Sequence, residues 1–126
     1  MKKIFIFTLF FIILSNFNLA HSISPDVFIQ STVNRASQVL SENISKEEKI
    51  NQLKIIAKET VDIRGVGFYS LGSVRKSLDN DQKKTYSNLF ESYFLKSFSS
   101  RLAEYTNPEI EVKNKQILNN NYTIVN

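Results

Sequence analysis

The sequence contains no cysteine and no tryptophan, and its single histidine is His21. Without cysteine the chain has neither a disulfide framework nor a thiol for lipid attachment at an export site. Nucleophilic sites that pair serine or cysteine with histidine require a histidine, and ordinary zinc sites require several cysteines or histidines. This chain has no cysteine, and its one histidine lies near the N-terminus. We therefore expect no catalytic residue, no metal ligand and no cofactor, and we predict that the protein is not an enzyme.

Glycine is also scarce, and all three glycines lie in one stretch, Glu59 to Arg75, at Gly65, Gly67 and Gly72. Each glycine costs roughly 1 kcal/mol in a helix interior, so the group marks close packing or a change of direction. The residues between them are bulky and apolar, which is unusual for a solvated loop. They are Val66, Phe68, Tyr69 and Leu71. The stretch predicts a compact, buried, bent segment between two longer helices.

The N-terminus has the pattern of an export signal. Lys2 and Lys3 precede an apolar run from Ile4 to Leu14, which as a helix would rise about 16 Å, roughly half of a bilayer's hydrocarbon core. Ala20-His21-Ser22 fits the small-x-small rule for cleavage after Ser22, and cleavage after Ala20 is the alternative. We predict a signal peptide over residues 1–22 and an exported domain over residues 23–126.

The charge of the exported part is close to balanced. Lys2 and Lys3 are two of the 16 basic residues, and the other basic residues face 12 acidic ones. Such a mildly basic surface does not indicate a nucleic-acid partner.

Two amphipathic helices are predicted first. Ser24 is a candidate cap with Pro25 at the first helical position, and this helix should end at Ser41 to Asn43. A second helix should start at Ser45, with Glu48 completing a capping box. Because each helix has one apolar face, we expect them to form an antiparallel hairpin.

The longest predicted element begins with a second capping box, formed by Asp79 and Gln82, and stops at Asn107-Pro108. Its apolar residues keep helical spacing for more than five turns. They are Tyr86, Leu89, Phe90, Tyr93, Phe94, Phe98, Leu102 and Tyr105. Core packing is the default interpretation of this stripe, and an apolar cavity wall is the alternative. Asp62, which lies between apolar residues, is interpreted as a helix cap or as a partner of Arg64 or Arg75.

The C-terminal part has the character of strands. Residues Glu109 to Lys113 alternate polar and apolar, which predicts a half-buried strand. Asn119 to Asn121 predict a turn, and Tyr122 to Val125 a second strand. Two strands cannot make a stable sheet alone, so either the helices cover them or sheet-forming sequence is missing.

Several of these residues together resemble one known family. They are the runs Val61-Asp62-Ile63 and Tyr69-Ser70-Leu71-Gly72, followed by Gln82, Tyr86, Leu89-Phe90 and Tyr93. The combination is similar to the MlaC family, also called the toluene-tolerance or phospholipid-transport auxiliary proteins, and the resemblance extends from about Pro25 to the C-terminus. It implies a cystatin-like (nuclear-transport-factor-2-like) α+β architecture, in which helices wrap a curved antiparallel sheet and lipid acyl chains lie between the two layers.

The resemblance also implies a cellular role and partners. Family members carry phospholipid through the periplasm between an outer-membrane lipoprotein complex and an inner-membrane ABC transporter, which maintains outer-membrane lipid asymmetry. This sequence departs from the family at Val74, where a tryptophan is usual. It also stops within the family's sheet, so we expect the C-terminal strands to be missing and the sheet to have an open edge.

The aromatic content of the long helix exceeds what so small a domain needs for its core. From the resemblance we predict that six residues line the acyl-chain space. They are Leu71, Leu89, Phe90, Tyr93, Phe94 and Phe98. The alternative function is a small exported helical adaptor without a ligand.

Overall fold

The computed structural model describes residues 23–126, so the predicted signal peptide and its cleavage site lie outside the described residues. The elements follow in the order α1 (Pro25–Ser41), α2 (Lys46–Thr60), α3 (Ile63–Ser70), a 3₁₀ turn (Gly72–Lys76), α4 (Asn80–Leu102), β1 (Lys115–Asn119) and β2 (Tyr122–Val125). This arrangement confirms the predicted α+β class. No helix within residues 23–126 is long and apolar enough to cross a membrane.

Both hydrogen bonds of the predicted capping box are formed at the start of α4, and one of the two is formed at the start of α2. Asp79 Oδ1 accepts a bond of 2.8 Å from the Gln82 N–H, and Gln82 Oε1 accepts one of 3.0 Å from the Asp79 N–H. At α2 the Ser45 hydroxyl accepts from the Glu48 N–H at 3.1 Å. Among the described residues the return bond from the Glu48 side chain is not formed. Both helices nevertheless begin where the sequence predicts.

The first two helices run antiparallel, as predicted. Arg35 on α1 lies 2.5 Å from Glu59 near the end of α2. Near the α1–α2 connection, Lys49 Nζ donates to the Leu40 carbonyl at 2.6 Å. From Arg35 to Leu40 the contacts move forward along α1, while on α2 they move back from Glu59 to Lys49. The two helices therefore run in opposite directions.

Two small apolar clusters hold the helices together. The first joins α1 and α2 to the residue that follows α4, and consists of Val39, Leu40, Leu53, Ile56 and Ala103. The second joins α2, α3 and α4, and consists of Ala57, Ile63 and Leu95. Leu95 and the fully buried Ser99 form the core-facing side of α4. Neither was in the predicted stripe, because the stripe was drawn through the more numerous aromatic positions.

The first predicted strand is wrong. Residues 109–113 are neither helix nor strand, and the strand is instead Lys115–Asn119. The reason is the tight turn at Asn120–Asn121, where Asn119 Oδ1 accepts backbone N–H bonds from Asn121 at 2.9 Å and Tyr122 at 3.1 Å. The two-residue loop pairs Asn119 with Tyr122, so β2 folds back on the segment directly before the turn. A bulge between Ile117 and Asn119 then shifts the register by one residue, and Lys115 pairs with Val125. The predicted turn and β2 are confirmed.

The predicted end of α4 is also wrong. The helix ends at Leu102, with Ala103 as its C-cap, so Tyr105 lies outside it. The N–H groups of Glu104 and Tyr105 bond to the carbonyls three residues back, which tightens and closes the last turn. Asn107 adopts a left-handed φ of 51°, which an α-helix cannot accommodate.

The hairpin docks on the start of α1 through a polar cluster. Lys115 Nζ lies 2.7 Å from Asp26 Oδ1 and 2.9 Å from Ser24 Oγ. Ser24 occupies the predicted cap position of α1, but its hydroxyl donates to the Asp26 carboxylate. The expected side-chain cap bond at Ser24 is therefore wrong, because Asp26 takes the hydroxyl instead.

Hairpin docking should depend on pH through Asp26. The hydrogen bond from Lys115, followed by the one from Ser24, lowers the pKa of Asp26 from 3.8 to about 2. A carboxylate with a lowered folded pKa stabilises the docked state above pH 3.8 and loses that contribution as the pH falls toward 2. We expect the amide NMR signals of Thr123 and Ile124 to shift across this window.

The control for this titration is Asp26→Asn. Its amide NMR signals should have the positions of the undocked hairpin already at neutral pH and should change little on acidification. Because the pair is partly exposed, the global transition should move only slightly. Hairpin signals that titrate identically in both proteins would contradict the prediction.

Candidate functional site

Five aromatic rings form a continuous row across α3 and α4, and we call this row the aromatic ladder. It consists of Phe68, Tyr86, Phe90, Phe94 and Phe98. Successive ring centroids lie 6.3, 5.8, 6.2 and 5.3 Å apart, within the range of favourable aromatic pairs. Four of the rings belong to α4 at intervals of four residues, and side chains at that interval lie one above the other on a helix.

The ladder is held against α3 by a close approach at Gly67. A Cβ atom placed on Gly67 would lie 2.8 Å from Cδ1 of Phe90. The Tyr86 hydroxyl donates to the Gly67 carbonyl at 3.2 Å and lies 3.0 Å from the Ser70 hydroxyl. Gly67 therefore shows the close packing that was one of the two interpretations of the glycine group.

The other two glycines serve the local backbone. Asp62 caps α3, accepting a 2.9 Å bond from the Gly65 N–H, which confirms the cap interpretation of this acid. Gly72 has a φ of +56° and begins the 3₁₀ turn, so the segment is bent as predicted. It is less buried than predicted, since Tyr69 is 83% exposed and Val66 is also exposed. The reason is that α3 packs on one side only, through Ile63 and Gly67.

The structure brings three of the six predicted lipid-binding residues together, namely Phe90, Phe94 and Phe98 in the ladder. Leu89 and Tyr93 lie on adjoining positions of α4 and are 66% and 68% exposed. Leu71 is half-buried at the end of α3.

The ladder members Phe68 and Tyr86 were not among the six predicted residues. The signal that could have found Tyr86 is the exact four-residue spacing through residues 86, 90, 94 and 98.

Helix α4 is apolar on two sides. Leu95 faces the core, while Tyr93 is exposed to solvent. These two residues are roughly 160° apart around the helix axis, because each residue turns the helix by about 100°. A helix that packs on one side only needs one apolar stripe. Phe90 and Phe94 are partly buried against the second apolar cluster. The surplus apolar surface is therefore formed by the exposed side chains of Leu89, Tyr93 and Phe98.

Four surface depressions in the described part of the chain lie elsewhere, and none of these four is lined by any of the six predicted lipid-binding residues. Residues 23–126 also contain no group of three or more histidines and acidic residues placed to hold a metal ion. What the ladder offers chemically is an elongated apolar surface.

The family model described as "MlaC protein" matches residues 30–126, which is more than half of the chain. No curated protein and no solved structure matches the sequence.

Proposed function

Because the chain belongs to the MlaC family, whose members are periplasmic proteins involved in phospholipid transport, we propose that it is a periplasmic phospholipid carrier. In this role it shuttles lipid between an outer-membrane lipoprotein complex and an inner-membrane ABC transporter. Residues 1–22 direct export and are removed, and residues 23–126 form the carrier domain. The family match supports the lipid as ligand, and the aromatic ladder supports where it binds.

The ladder is the single observation that carries the binding site. From Tyr86 to Phe98 it follows α4 for about 18 Å, at 1.5 Å per residue. One leaflet of a bilayer's hydrocarbon core is about 15 Å thick, so an acyl chain matches the ladder in length. Each methylene taken out of water contributes about 0.8 kcal/mol, and such burial needs no hydrogen-bonding partner. A row of rings is suited to that kind of ligand.

The six predicted residues have distinct places in this proposal. Phe90, Phe94 and Phe98 form the surface along which the acyl chain lies. The exposed side chains of Leu89 and Tyr93 cover it from one side. Leu71 is the C-cap of α3 and lies three residues after Phe68 along the chain, and in this proposal it contacts the lipid at that end of the ladder.

The first test is native mass spectrometry of protein purified from cells, comparing the wild type with Phe98→Asp. Phe98 is 39% exposed, so the domain should tolerate the substitution, whereas a carboxylate in the path of an acyl chain is strongly unfavourable. We expect phospholipid on the wild type and at least a tenfold smaller lipid-bound fraction on the variant, a difference of about 1.4 kcal/mol.

The matched control is Tyr69→Asp, which places the same charge on an exposed aromatic position outside the ladder. It should retain wild-type lipid content. If Phe98→Asp and Tyr69→Asp both keep their lipid, the ladder is not the site. If the wild type is purified without lipid, the carrier function fails and the alternative of a ligand-free adaptor takes its place.

A further inference from the structure

A depression lined by cations lies where α3 meets the first turns of α4, and we call it the basic depression. It is lined by Arg64, Asn80, Lys83, Lys84, Ser87 and Asn88. We propose that Arg64, Lys83 and Lys84 bind the phosphate group of a phospholipid headgroup. This inference rests on the proposed carrier function and adds to it the end of the site at which the headgroup lies.

The lining suits a phosphate group. Three cationic side chains come from two helices, and the other three residues carry amide or hydroxyl groups that can donate hydrogen bonds. No acidic residue lines the depression. Charge-assisted bonds from arginine and lysine to phosphate oxygens are shorter and stronger than neutral ones.

The three cations are not engaged in any ion pair formed within residues 23–126. Of the acids near them along the chain, Asp62 accepts from the Gly65 N–H and Asp79 from the Gln82 N–H. Asp81, in the first turn of α4, forms no ion pair with these cations within residues 23–126. The positive charge of the basic depression is therefore available to an external anion.

Arg64 connects the basic depression to the aromatic ladder. Its guanidinium carbon lies 5.4 Å from the centroid of the Phe68 ring, the first ring of the ladder. One side chain thus borders both the cationic surface and the apolar one. A phospholipid with its acyl chain along Phe90 to Phe98 and its phosphate near Arg64 would place its apolar part on the aromatic ladder and its anionic part in the basic depression.

The experiment compares two ligands that differ only in the phosphate-bearing headgroup, dihexanoyl phosphatidylglycerol and dihexanoyl glycerol. Each is titrated into the full chain purified from cells and stripped of lipid, and Kd is measured by native mass spectrometry. We expect the wild type to prefer the phosphate-bearing lipid by about tenfold or more. This preference should shrink as salt is raised, because exposed charges are screened.

The diagnostic variant is Lys83→Gln/Lys84→Gln. It should lose about tenfold in affinity for dihexanoyl phosphatidylglycerol and keep its affinity for dihexanoyl glycerol. The matched control is Lys54→Gln/Lys96→Gln, which removes the same charge from another depression, between α2 and α4. That control should change either affinity by less than about twofold, since these lysines lie at a different surface.

The outcomes separate the two proposals. A wild type that binds neither lipid overturns the carrier function. A wild type that binds both equally, or an equal loss in the two double variants, overturns the headgroup site alone. Glycerol 3-phosphate serves as a third ligand, because it carries the phosphate without acyl chains. If it binds as tightly as the phospholipid, the depression is a site for soluble phosphates and the headgroup assignment is wrong.

Discussion

Replacing Gly67 by leucine is expected to push α3 away from α4 and to destabilise the domain by about 2–3 kcal/mol, the usual cost of overpacking. A Cβ atom on Gly67 would meet three atoms of the Phe90 ring at 2.8, 3.0 and 3.3 Å. That ring is stacked between Tyr86 and Phe94, which limits how far it can move. The gain in helix propensity from losing a glycine is at most about 1 kcal/mol and does not offset the clash. Urea unfolding followed by far-UV circular dichroism measures the difference.

Val66→Leu is the control, because it enlarges the exposed neighbour of Gly67 on the same helix and should change stability by less than about 0.5 kcal/mol. Adding Phe90→Ala to Gly67→Leu makes room for the new side chain. The double variant should therefore lose less stability than the sum of the two single variants. A Gly67→Leu protein as stable as the wild type would show that the contact between α3 and α4 is looser than described.

Truncating Leu53 to alanine should cost still more, about 2–5 kcal/mol, because it removes a fully buried side chain and leaves a cavity. Leu53 is 1% exposed, and it lies in the cluster that joins α1, α2 and the end of α4. In a domain of this size each kcal/mol lowers Tm by roughly 4–8 °C. Thermal unfolding should show a large decrease or the loss of a cooperative transition.

Ile55→Ala provides the comparison within the same helix, because Ile55 is exposed. Its substitution should lower Tm by only a few degrees, since surface substitutions are usually within about 0.5 kcal/mol. Equal losses at residues 53 and 55 would mean that α2 does not use the face that the structure assigns to the core.

The sequence was sufficient to predict those elements that are determined by residues close together in the chain. The capping box of Asp79 and Gln82, the turn at residues 119–121 and strand β2 depend on residues within a few positions of one another. The strand expected over residues 109–113 failed for the opposite reason. Its alternation is a weak preference, whereas the strand that forms, Lys115–Asn119, is the segment that the turn at residues 120–121 places opposite β2.

The sequence predicted several of the residues of the candidate site, but it did not predict which side of α4 faces the core. The aromatic content of α4 pointed to Phe90, Phe94 and Phe98. Which side of α4 faces the core depends on where α3 crosses it, and Gly67 sets that crossing by admitting the Phe90 ring. Such a contact joins residues far apart along the chain, so helical periodicity alone could not separate Leu95, which is buried, from Leu89, which is exposed.

The Asp26–Lys115 pair joins two residues that are 89 positions apart in the sequence. The helical clusters lie between these two residues along the chain and are stabilised by apolar burial, whereas the hairpin is attached to α1 largely through an exposed polar contact. Once the helices are folded, docking the hairpin still has the entropic cost of ordering residues 103–114, and a surface ion pair offsets only part of it. The hairpin therefore forms a unit of lower local stability, which joins the helices late in folding and opens before they unfold. Its backbone groups are consequently open to strand exchange or to pairing with another chain while the helical core remains intact.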